Sequence, residues 1–363
     1  MMAGKDGPDV LVVGAGLSGL VAAADLHASD VQVTVWEARN RIGGRCWSPP
    51  VGPENVRLDL GAAWHWTEHE RVRALADRLG IERVRQHEPG MAVQEWAADE
   101  PVERFEWPET PPPSWRLVGG TQTLHERLAA SLPEGTIRRR HPLHALRHAH
   151  DEVRAVADAP DGSRTVSVEA VVLAVPPRLA AHTIDFAPVL SGGVQAAMRD
   201  TTTWMGASAK AAVTYDRPFW REQGLAGRVR SAVGPVHDWH DAVAPDGTAA
   251  LVGFMHPPGP ASPTPADPDD RRRAVVRQLV HCFGDAADAP TGFATADWRH
   301  DPATTPDEGP PSGPHTPPAP SPALRYPYWN GRLHFAAAET AADHPGYLDG
   351  AIQAGRRAAS ALT

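Results

Sequence analysis

The chain has 363 residues, 42% of them apolar, and carries a formal net charge of −9. This length and apolar content provide for a large hydrophobic core, and the acidic balance argues against a nucleic-acid-binding protein. The N-terminus has no apolar signal segment, and no stretch approaches eighteen uninterrupted apolar residues. We therefore expect a cytoplasmic protein without membrane contact. The two cysteines, Cys46 and Cys282, are predicted to be free thiols, and we assign no metal site.

The first predicted elements are a strand, a tight turn and a helix. An apolar run at residues 10–13 is followed by G-A-G-L-S-G at 14–19 and then by a helical stretch. In such a motif Gly14 permits the turn, Gly16 lets a pyrophosphate approach the backbone, and Gly19 allows close packing of the helix on the strand. The phosphates then lie on the free N–H groups at the start of the helix. The pattern predicts a dinucleotide cradle.

A second apolar strand, residues 31–36, ends at Glu37, where an acid can accept hydrogen bonds from ribose hydroxyls and would repel a 2′-phosphate. The continuation, E-A-R-N-R-I-G-G-R at 37–45, places two glycines between arginines. Such a backbone can press against a diphosphate while the guanidinium groups supply charge. It resembles the second flavin fingerprint of the FAD-dependent amine oxidase superfamily, which includes monoamine, polyamine and L-amino-acid oxidases, phytoene desaturases and protoporphyrinogen oxidase. The resemblance implies that the dinucleotide is FAD.

Further along the chain, residues 70–79 are predicted to form a helix, and residues 96–116 look irregular. A second long helix follows Thr121, its predicted N-cap. A β-rich passage ends in a buried strand at residues 170–175, and residues 208–256 alternate like the strands of a mixed sheet.

We therefore predict an α/β protein in which a Rossmann-like FAD-binding domain, a parallel sheet with flanking helices, is interleaved with a smaller α+β substrate domain built on a mixed sheet. The FAD-binding domain is expected to comprise residues 1–82, 117–178 and 324–363. The substrate domain is expected to comprise residues 83–116 and 179–323. Two proline-dense segments of the substrate domain, residues 257–270 and 302–323, are expected to be extended loops.

The last segment carries a second resemblance to the same family. The sequence R-L-H-F-A-A-A-E-T-A at 332–341 and the stretch G-Y-L-D-G-A-I-Q-A-G from Gly346 resemble the family's closing strand and helix. Ala337 stands where relatives usually have glycine, and its extra methyl group is harmless if its φ is negative. The resemblance implies that FAD lies against residues from both ends of the chain: Gly14, Gly16, Ser18, Gly19, Glu37, Ala38, Arg39, Gly43, Gly44, Arg45, Gly61, Ala62, Ala63, Trp64, Leu143, Ala337, Glu339, Leu348 and Ala351.

Lys210 is the strongest candidate for a catalytic residue. Lysine occurs only at Lys5 and Lys210, and this arginine dominance, with 37 prolines, suggests a GC-rich bacterial genome. Residues 205–220 resemble the family's strand whose lysine points at flavin N5 and holds a water there. Among alanines and valines, Lys210 is expected to have a lowered pKa, so that it can order a water or accept a proton. The alternative is a surface lysine on an exposed strand face.

Tyr347, the second candidate for a catalytic residue, resembles the aromatic residue that forms one wall of the family's amine cage. Two facing rings exclude water and favour the neutral amine. The other wall in the family follows a W-x-x-[DE]-P stretch, which survives at 298–302, but the turn at 307–312 contains no aromatic residue and no cysteine. FAD is therefore expected to be held non-covalently. The aromatic residues considered as substitutes for the second wall are Trp64, Tyr326, Tyr328 and Trp329.

These features lead to three hypotheses for a FAD-bearing protein. The first is an amine oxidase or dehydrogenase that moves hydride from the C–H next to an amine nitrogen to flavin N5, with O2 reoxidation giving H2O2. Relatives carry a longer substrate domain between Arg83 and Leu117, and the shorter wall in this chain leaves room for a larger substrate. The second hypothesis is therefore a flavin-dependent desaturase or oxygenase acting on a bulkier, non-amine secondary metabolite. The third is a redox-silent FAD-bearing scaffold. The substrate and the oligomeric state stay open.

Overall fold

The computed structural model describes residues 8–107, 112–259, 262–306, 319 and 321–363. The strands of the described residues are β1 (Val10–Val13), β2 (Val33–Glu37), β3 (Pro50–Val51), β4 (Val56–Arg57), β5 (His65–Trp66), β6 (Arg83–Arg85), β7 (Met91–Glu95), β8 (Glu103–Phe105), β9 (Ser114–Leu117), β10 (Ile137–Arg139), β11 (Leu143–Ala149), β12 (Glu152–Ala159), β13 (Gly162–Val168), β14 (Ala170–Leu173), β15 (Asp185–Ala187), β16 (Ala209–Tyr215), β17 (Leu225–Ser231), β18 (Val236–Asp241), β19 (Ala249–Met255), β20 (Gly292–Asp297) and β21 (Leu333–Phe335). The α-helices are α1 (Leu17–Ala28), α2 (Glu70–Arg78), α3 (Gln122–Ala130), α4 (Pro177–Thr183), α5 (Gly192–Asp200), α6 (Phe219–Glu222), α7 (Pro268–Phe283) and α8 (Leu348–Ser360). None of the helices in the described ranges is long and apolar enough to cross a membrane.

The first sheet is parallel and has five strands in the order β10-β2-β1-β14-β21. All four residues of β1 are buried, as expected for a parallel sheet that is covered on both faces. The helices α1 and α8 pack side by side, so closely that a Cβ atom on Gly355 would lie 2.3 Å from the carbonyl oxygen of Ser18. The first and last helices of the chain therefore meet at the cradle, and the predicted Rossmann-like sheet is confirmed.

Two glycines let α1 begin directly behind β1. Gly14 has a φ of 100°, a left-handed backbone conformation that favours glycine. A Cβ atom on Gly19 would lie 1.9 Å from the carbonyl oxygen of Gly14, so a larger residue cannot be accommodated unless the helix moves. The packing predicted for Gly19, helix against strand, is confirmed.

A mixed sheet of seven strands, in the order β20-β16-β19-β18-β17-β7-β8, forms the second large layer. Only β17 and β7 are parallel neighbours among its described strands. Apolar residues of α7, among them Val275 and Leu279, join the hydrophobic core of this sheet. Lys210 lies on β16 directly opposite Phe254 of β19 and Ala296 of β20. The predicted mixed sheet is confirmed, while the domain boundaries stay a prediction.

Two local expectations from the sequence are wrong. The stretch 96–116, expected to be irregular, contains β8 and the start of β9. The proline-dense segment ending at residue 270 was expected to be a loop, but α7 begins at Pro268. Its N-cap, Asp267, accepts hydrogen bonds from the backbone N–H groups of Asp269 and Asp270 at 3.0 and 2.9 Å. Proline suits this first helical position because the missing N–H is not needed there. Residues 307–318 and 320, which were also expected to form a loop, lie outside the described residues.

The packing at Gly19 predicts a large effect of a single methyl group. Gly19→Ala should destabilise the protein by about 3 kcal/mol or more, because the added methyl overlaps backbone. Gly193→Ala in α5 is the matched control, since its Cβ would meet nothing within 4 Å. That change should be neutral or stabilise by about 0.5 kcal/mol. Urea unfolding followed by circular dichroism measures both free energies. Equal stabilities for the two variants would contradict the close packing.

Candidate active site

A cavity of about 650 Å³ lies where the parallel sheet, the start of α8 and the mixed sheet meet. Ligand pockets typically have such volumes. The lining includes Lys210, Tyr347 and most of the residues predicted to contact FAD: Gly14, Gly16, Ser18, Glu37, Ala38, Arg39, Gly43, Gly44, Arg45, Gly61, Ala62, Ala63, Trp64, Leu143, Leu348 and Ala351. Three predicted contacts, Gly19, Ala337 and Glu339, do not line the cavity. The roles of all these residues toward the cofactor stay predictions.

The two glycine-rich turns form one continuous cradle. The backbone N–H of Gly43 donates to the carbonyl of Ala15 at 2.8 Å, which joins the second turn to the first. Glu37 is buried, and its carboxylate accepts hydrogen bonds from the N–H groups of Ala15 and Arg39 at 2.8 and 2.9 Å. No side chain of the described residues caps α1, whose N-cap is Gly16, so its first N–H groups are available to a phosphate. The cradle therefore fits a dinucleotide.

An ion pair with a buried carboxylate fixes Arg45 at the cavity wall. Its guanidinium donates to both carboxylate oxygens of Glu339 at 2.5 and 3.0 Å, and the Glu339 side chain is fully buried. Trp204 takes part through its backbone, because its N–H donates to Glu339 at 3.1 Å and its carbonyl accepts from Arg45 at 3.0 Å. Burial disfavours the charge of Arg45, but attraction and hydrogen bonding to Glu339 outweigh burial and raise the pKa of Arg45. Glu339 therefore acts on the cavity through Arg45 and Trp204.

The C-terminal segment approaches the cavity with the start of α8. Leu348, the first residue of α8, and Ala351 line the cavity, and no described side chain caps this helix. Its positive end therefore faces the cavity. Ala337 has φ −60° and ψ 152°, a conformation that alanine adopts freely. The methyl group that replaces the family's usual glycine is thus harmless to the backbone.

Lys210 is buried, with 2% of its surface exposed. Its Nζ atom donates to the carbonyls of Asp59 and Gly61 at 3.1 and 2.9 Å. The same atom lies 4.7 Å from the ring centroid of Trp64 and 4.8 Å from that of Phe254. Burial lowers the pKa of Lys210 to about 8, although the negative charge of Asp59 opposes the shift. The alternative of a surface lysine is wrong.

The side chain of Asp59 holds the segment 59–61, whose carbonyl groups accept the hydrogen bonds of Lys210. This carboxylate accepts hydrogen bonds from the Ser48 hydroxyl at 2.6 Å and from the N–H and hydroxyl of Thr121 at 2.8 and 2.9 Å. Burial raises the pKa of Asp59. Thr121 is the N-cap of α3, as predicted, but its side chain makes no capping hydrogen bond. The Thr121 hydroxyl is instead oriented by donation to the Asp59 carboxylate and the carbonyl of Ala62, both at 2.9 Å.

Aromatic rings form a continuous surface around Tyr347. Its ring centroid lies 5.6 Å from that of Trp204 and 6.2 Å from that of Trp66, and all three residues line the cavity. These distances are direct ring contacts rather than a gap between facing walls. A second pair of rings, Trp64 and Phe254, lies with centroids 5.9 Å apart beside Lys210. Both groups of rings therefore belong to one cavity.

Of the four aromatic residues considered as substitutes for the missing cage wall, only Trp64 lines the cavity. Tyr326 is 66% exposed. Tyr328 packs on Phe335, and Trp329 packs on His148 and Phe186. The turn at 307–312, where the family's aromatic residue is absent, lies outside the described residues.

Sequence reasoning missed several lining residues. Trp66, His141, Trp204 and Phe254 all line the cavity, and none of them belongs to a motif that marked it in the sequence. In the structure His141 is buried, its ring lies 5.9 Å from that of Trp36, and its Nδ1 is 2.7 Å from the carbonyl of Arg139. Its position just after β10 was a usable signal, because ligands bind beyond the carboxyl ends of parallel strands.

Comparison with known proteins identifies relatives for the whole chain. A family model described as flavin containing amine oxidoreductase matches residues 109–363, and one described as an NAD(P)-binding Rossmann-like domain matches residues 12–79. The chain is 26% identical to a putative flavin-containing monoamine oxidase of Mycobacterium tuberculosis, over 97% of this chain and 96% of that protein. It is also 26% identical to putrescine oxidase of Kocuria rosea, over 97% and 94%. The first alignment extends over 452 positions, so that relative carries segments that this chain of 363 residues lacks.

Solved structures share the fold. Putrescine oxidase bound to putrescine superimposes with a TM-score of 0.79 at 21% identity, over 98% of both chains. Cyclohexylamine oxidase from Brevibacterium oxydans gives a TM-score of 0.79 at 22% identity, also over 98% of both chains. The arrangement of a parallel and a mixed sheet is therefore one that these proteins share.

The environment of Lys210 predicts a pH-dependent stability. Below about pH 8 the folded protein holds Lys210 as a buried ammonium, and this burial lowers the free energy of unfolding. The loss of stability disappears as the pH rises from about 8 to 10.5, the ordinary pKa of lysine. Relative to Lys210→Met, the wild type should therefore gain on the order of 3 kcal/mol as the pH rises through this window. Urea unfolding at a series of pH values measures the difference. Lys210→Arg, which stays charged, should show no such gain. A difference that is constant with pH would contradict the lowered pKa.

Proposed function

Because this chain belongs to the family of flavin-containing amine oxidoreductases and is an FAD-dependent oxidoreductase, we propose that it oxidises small-molecule amines. Dioxygen would be the electron acceptor and H2O2 a product. The observation that carries the proposal is Lys210, which is buried beside aromatic rings in the same cavity as the dinucleotide cradle. The monoamine and putrescine oxidases among the relatives support an amine as the substrate.

The cradle would hold FAD without a covalent bond. Gly14, Gly16 and the start of α1 would receive the pyrophosphate, and Glu37 the ribose hydroxyls. Among the described residues of the lining, the thiol is that of Cys46, and burial raises its pKa to about 12. A protonated thiol is a poor nucleophile, which supports non-covalent binding. Bound FAD supplies the acceptor for the hydride that leaves the substrate.

Lys210 is suited to hold a water molecule or a proton beside the reacting atoms. In its neutral form the amine has two N–H donors, and the carbonyls of Asp59 and Gly61 accept two hydrogen bonds from Nζ. The remaining lone pair can accept a hydrogen bond from water or take a proton. A pKa of about 8 keeps both protonation states accessible near neutral pH.

The aromatic surface made by Trp66, Tyr347 and Trp204 would select the protonation state of the substrate. Large rings exclude water, and a charged ammonium loses hydration when it enters such surroundings. The neutral amine, whose lone pair assists departure of the hydride, is therefore favoured. Apolar rings also favour a substrate whose carbon skeleton is hydrophobic.

Anaerobic mixing with a panel of amines tests the proposal. The flavin absorbance of the wild type should bleach with at least one monoamine, diamine or amino acid, and admission of air should restore it with release of H2O2. Lys210→Met should slow bleaching by roughly 100-fold, the usual contribution of a positioned proton-transfer group.

Two tyrosines provide a matched comparison in the same experiment. Tyr347→Ala should slow bleaching because it opens the aromatic surface, whereas Tyr326→Ala, at an exposed position outside the cavity, should leave the rate unchanged. An enzyme whose flavin is bleached by no amine, or a Lys210→Met variant as fast as the wild type, would contradict the proposed function.

A further inference from the structure

A segment with no predicted cofactor role lines the cavity beside the cradle. Asp301, Pro302, Ala303 and Thr304 follow β20 and belong to the lining. Residues 302–304 are the start of the segment that the sequence predicted to be an extended loop. Thr304 is fully buried. The segment thus reaches from the mixed sheet to the cradle, whose residues follow β1 and β2 of the parallel sheet.

Arg39 ties this segment to the cradle. Its guanidinium forms a two-pronged pair with the carboxylate of Asp301, with N–O distances of 3.2 and 2.5 Å, and donates to the hydroxyl of Thr304 at 2.7 Å. The pair is mostly shielded, since the side chains of Arg39 and Asp301 are 14% and 23% exposed. The same guanidinium lies 3.6 Å from the carboxylate of Glu37. Arg39 therefore connects the acid at the ribose position to residues 301–304.

The segment is also held from its own side. The carbonyl of Asp301 accepts the N–H groups of Thr304 and Thr305 at 2.9 Å each, and the Asp301 carboxylate accepts that of Ala303 at 3.0 Å. The Thr305 hydroxyl donates to the carbonyl of Gly206 at 3.2 Å, just before the strand of Lys210. Residues 301–304 are thus attached both to the cradle and to the start of β16, and these two attachments make the segment a rigid wall rather than a free loop.

We propose that residues 301–304 form a strap over the adenosine half of the bound FAD, and that Asp301 keeps the strap closed by holding Arg39. The position follows from Glu37, because the acid at the end of the second strand of such a cradle lies at the adenosine ribose. A cofactor that is covered by residues 301–304 and held without a covalent bond leaves more readily when these residues move away. The ion pair between Arg39 and Asp301 therefore limits the rate at which FAD is released. The inference concerns cofactor retention and does not depend on amine oxidation.

The experiment measures FAD release and affinity in purified holoprotein. After dilution, recovery of flavin fluorescence gives the dissociation rate, and titration of the FAD-free protein gives Kd. Asp301→Asn should raise both by roughly 10-fold or more, as expected when a shielded two-pronged ion pair loses its charge. Thr304→Val removes a single hydrogen bond and should raise them less, by roughly threefold.

An exposed ion pair elsewhere serves as the control. One guanidinium nitrogen of Arg57 donates to both carboxylate oxygens of Glu126, at 2.7 and 2.8 Å, but both side chains are about 40% exposed and neither lines the cavity. Glu126→Gln should leave FAD release unchanged. Circular dichroism and urea unfolding establish that each variant is folded. Should Asp301→Asn fail to fold, Arg39→Lys, which keeps the charge and loses the second prong, carries the same expectation.

Release of FAD from Asp301→Asn and Arg39→Lys at the wild-type rate would overturn the strap. An equal acceleration in Glu126→Gln would also overturn it, because the effect would then follow from general loss of stability. Both readouts report on bound FAD alone, so they stand whether or not any amine bleaches the flavin.

Discussion

The ion pair between Arg45 and the fully buried Glu339 is the interaction on which the cavity depends. Arg45 follows the cradle, Glu339 precedes α8, and together they bind both backbone polar groups of Trp204, which leads into the strand of Lys210. Glu339 is fully buried, so removal of Arg45 leaves an uncompensated buried charge and costs about 3–5 kcal/mol. One set of hydrogen bonds thus positions the cradle, the start of α8 and the strand of Lys210 relative to one another.

Arg45 and Lys210 show how one cavity treats two cations differently. Arg45 has a carboxylate as its partner, and its pKa is raised. Lys210 has two carbonyl oxygens and two aromatic faces, and burial lowers its pKa to about 8. Carbonyls and rings stabilise an ammonium less than a carboxylate stabilises a guanidinium. The first cation is therefore suited to permanent structural contacts, and the second to proton exchange.

Local patterns predicted the elements whose formation is local. The strand, the glycine turn and Glu37 lie within one short stretch, and glycine is required there by a left-handed φ and by a backbone contact. Lys210 stood out because lysine is rare in this chain and this one lies among alanines and valines. The start of α7 was missed although aspartate before proline is a helix-start signal, because the density of prolines dominated the interpretation.

The amino-acid pattern alone predicted the cofactor class, the two types of sheet and the burial of Lys210. It could do so because backbone conformation and burial leave periodic patterns in neighbouring residues. The walls of the cavity required the folded chain. Trp204 reaches Arg45 from 159 positions away, and Asp301 reaches Arg39 from 262 positions away. The Thr121 hydroxyl likewise donates to Asp59 and makes no capping hydrogen bond with its own helix. Contacts of this kind form only where the packing of the sheets brings two distant parts of the chain together. No periodic pattern of residues along the sequence marks such pairs.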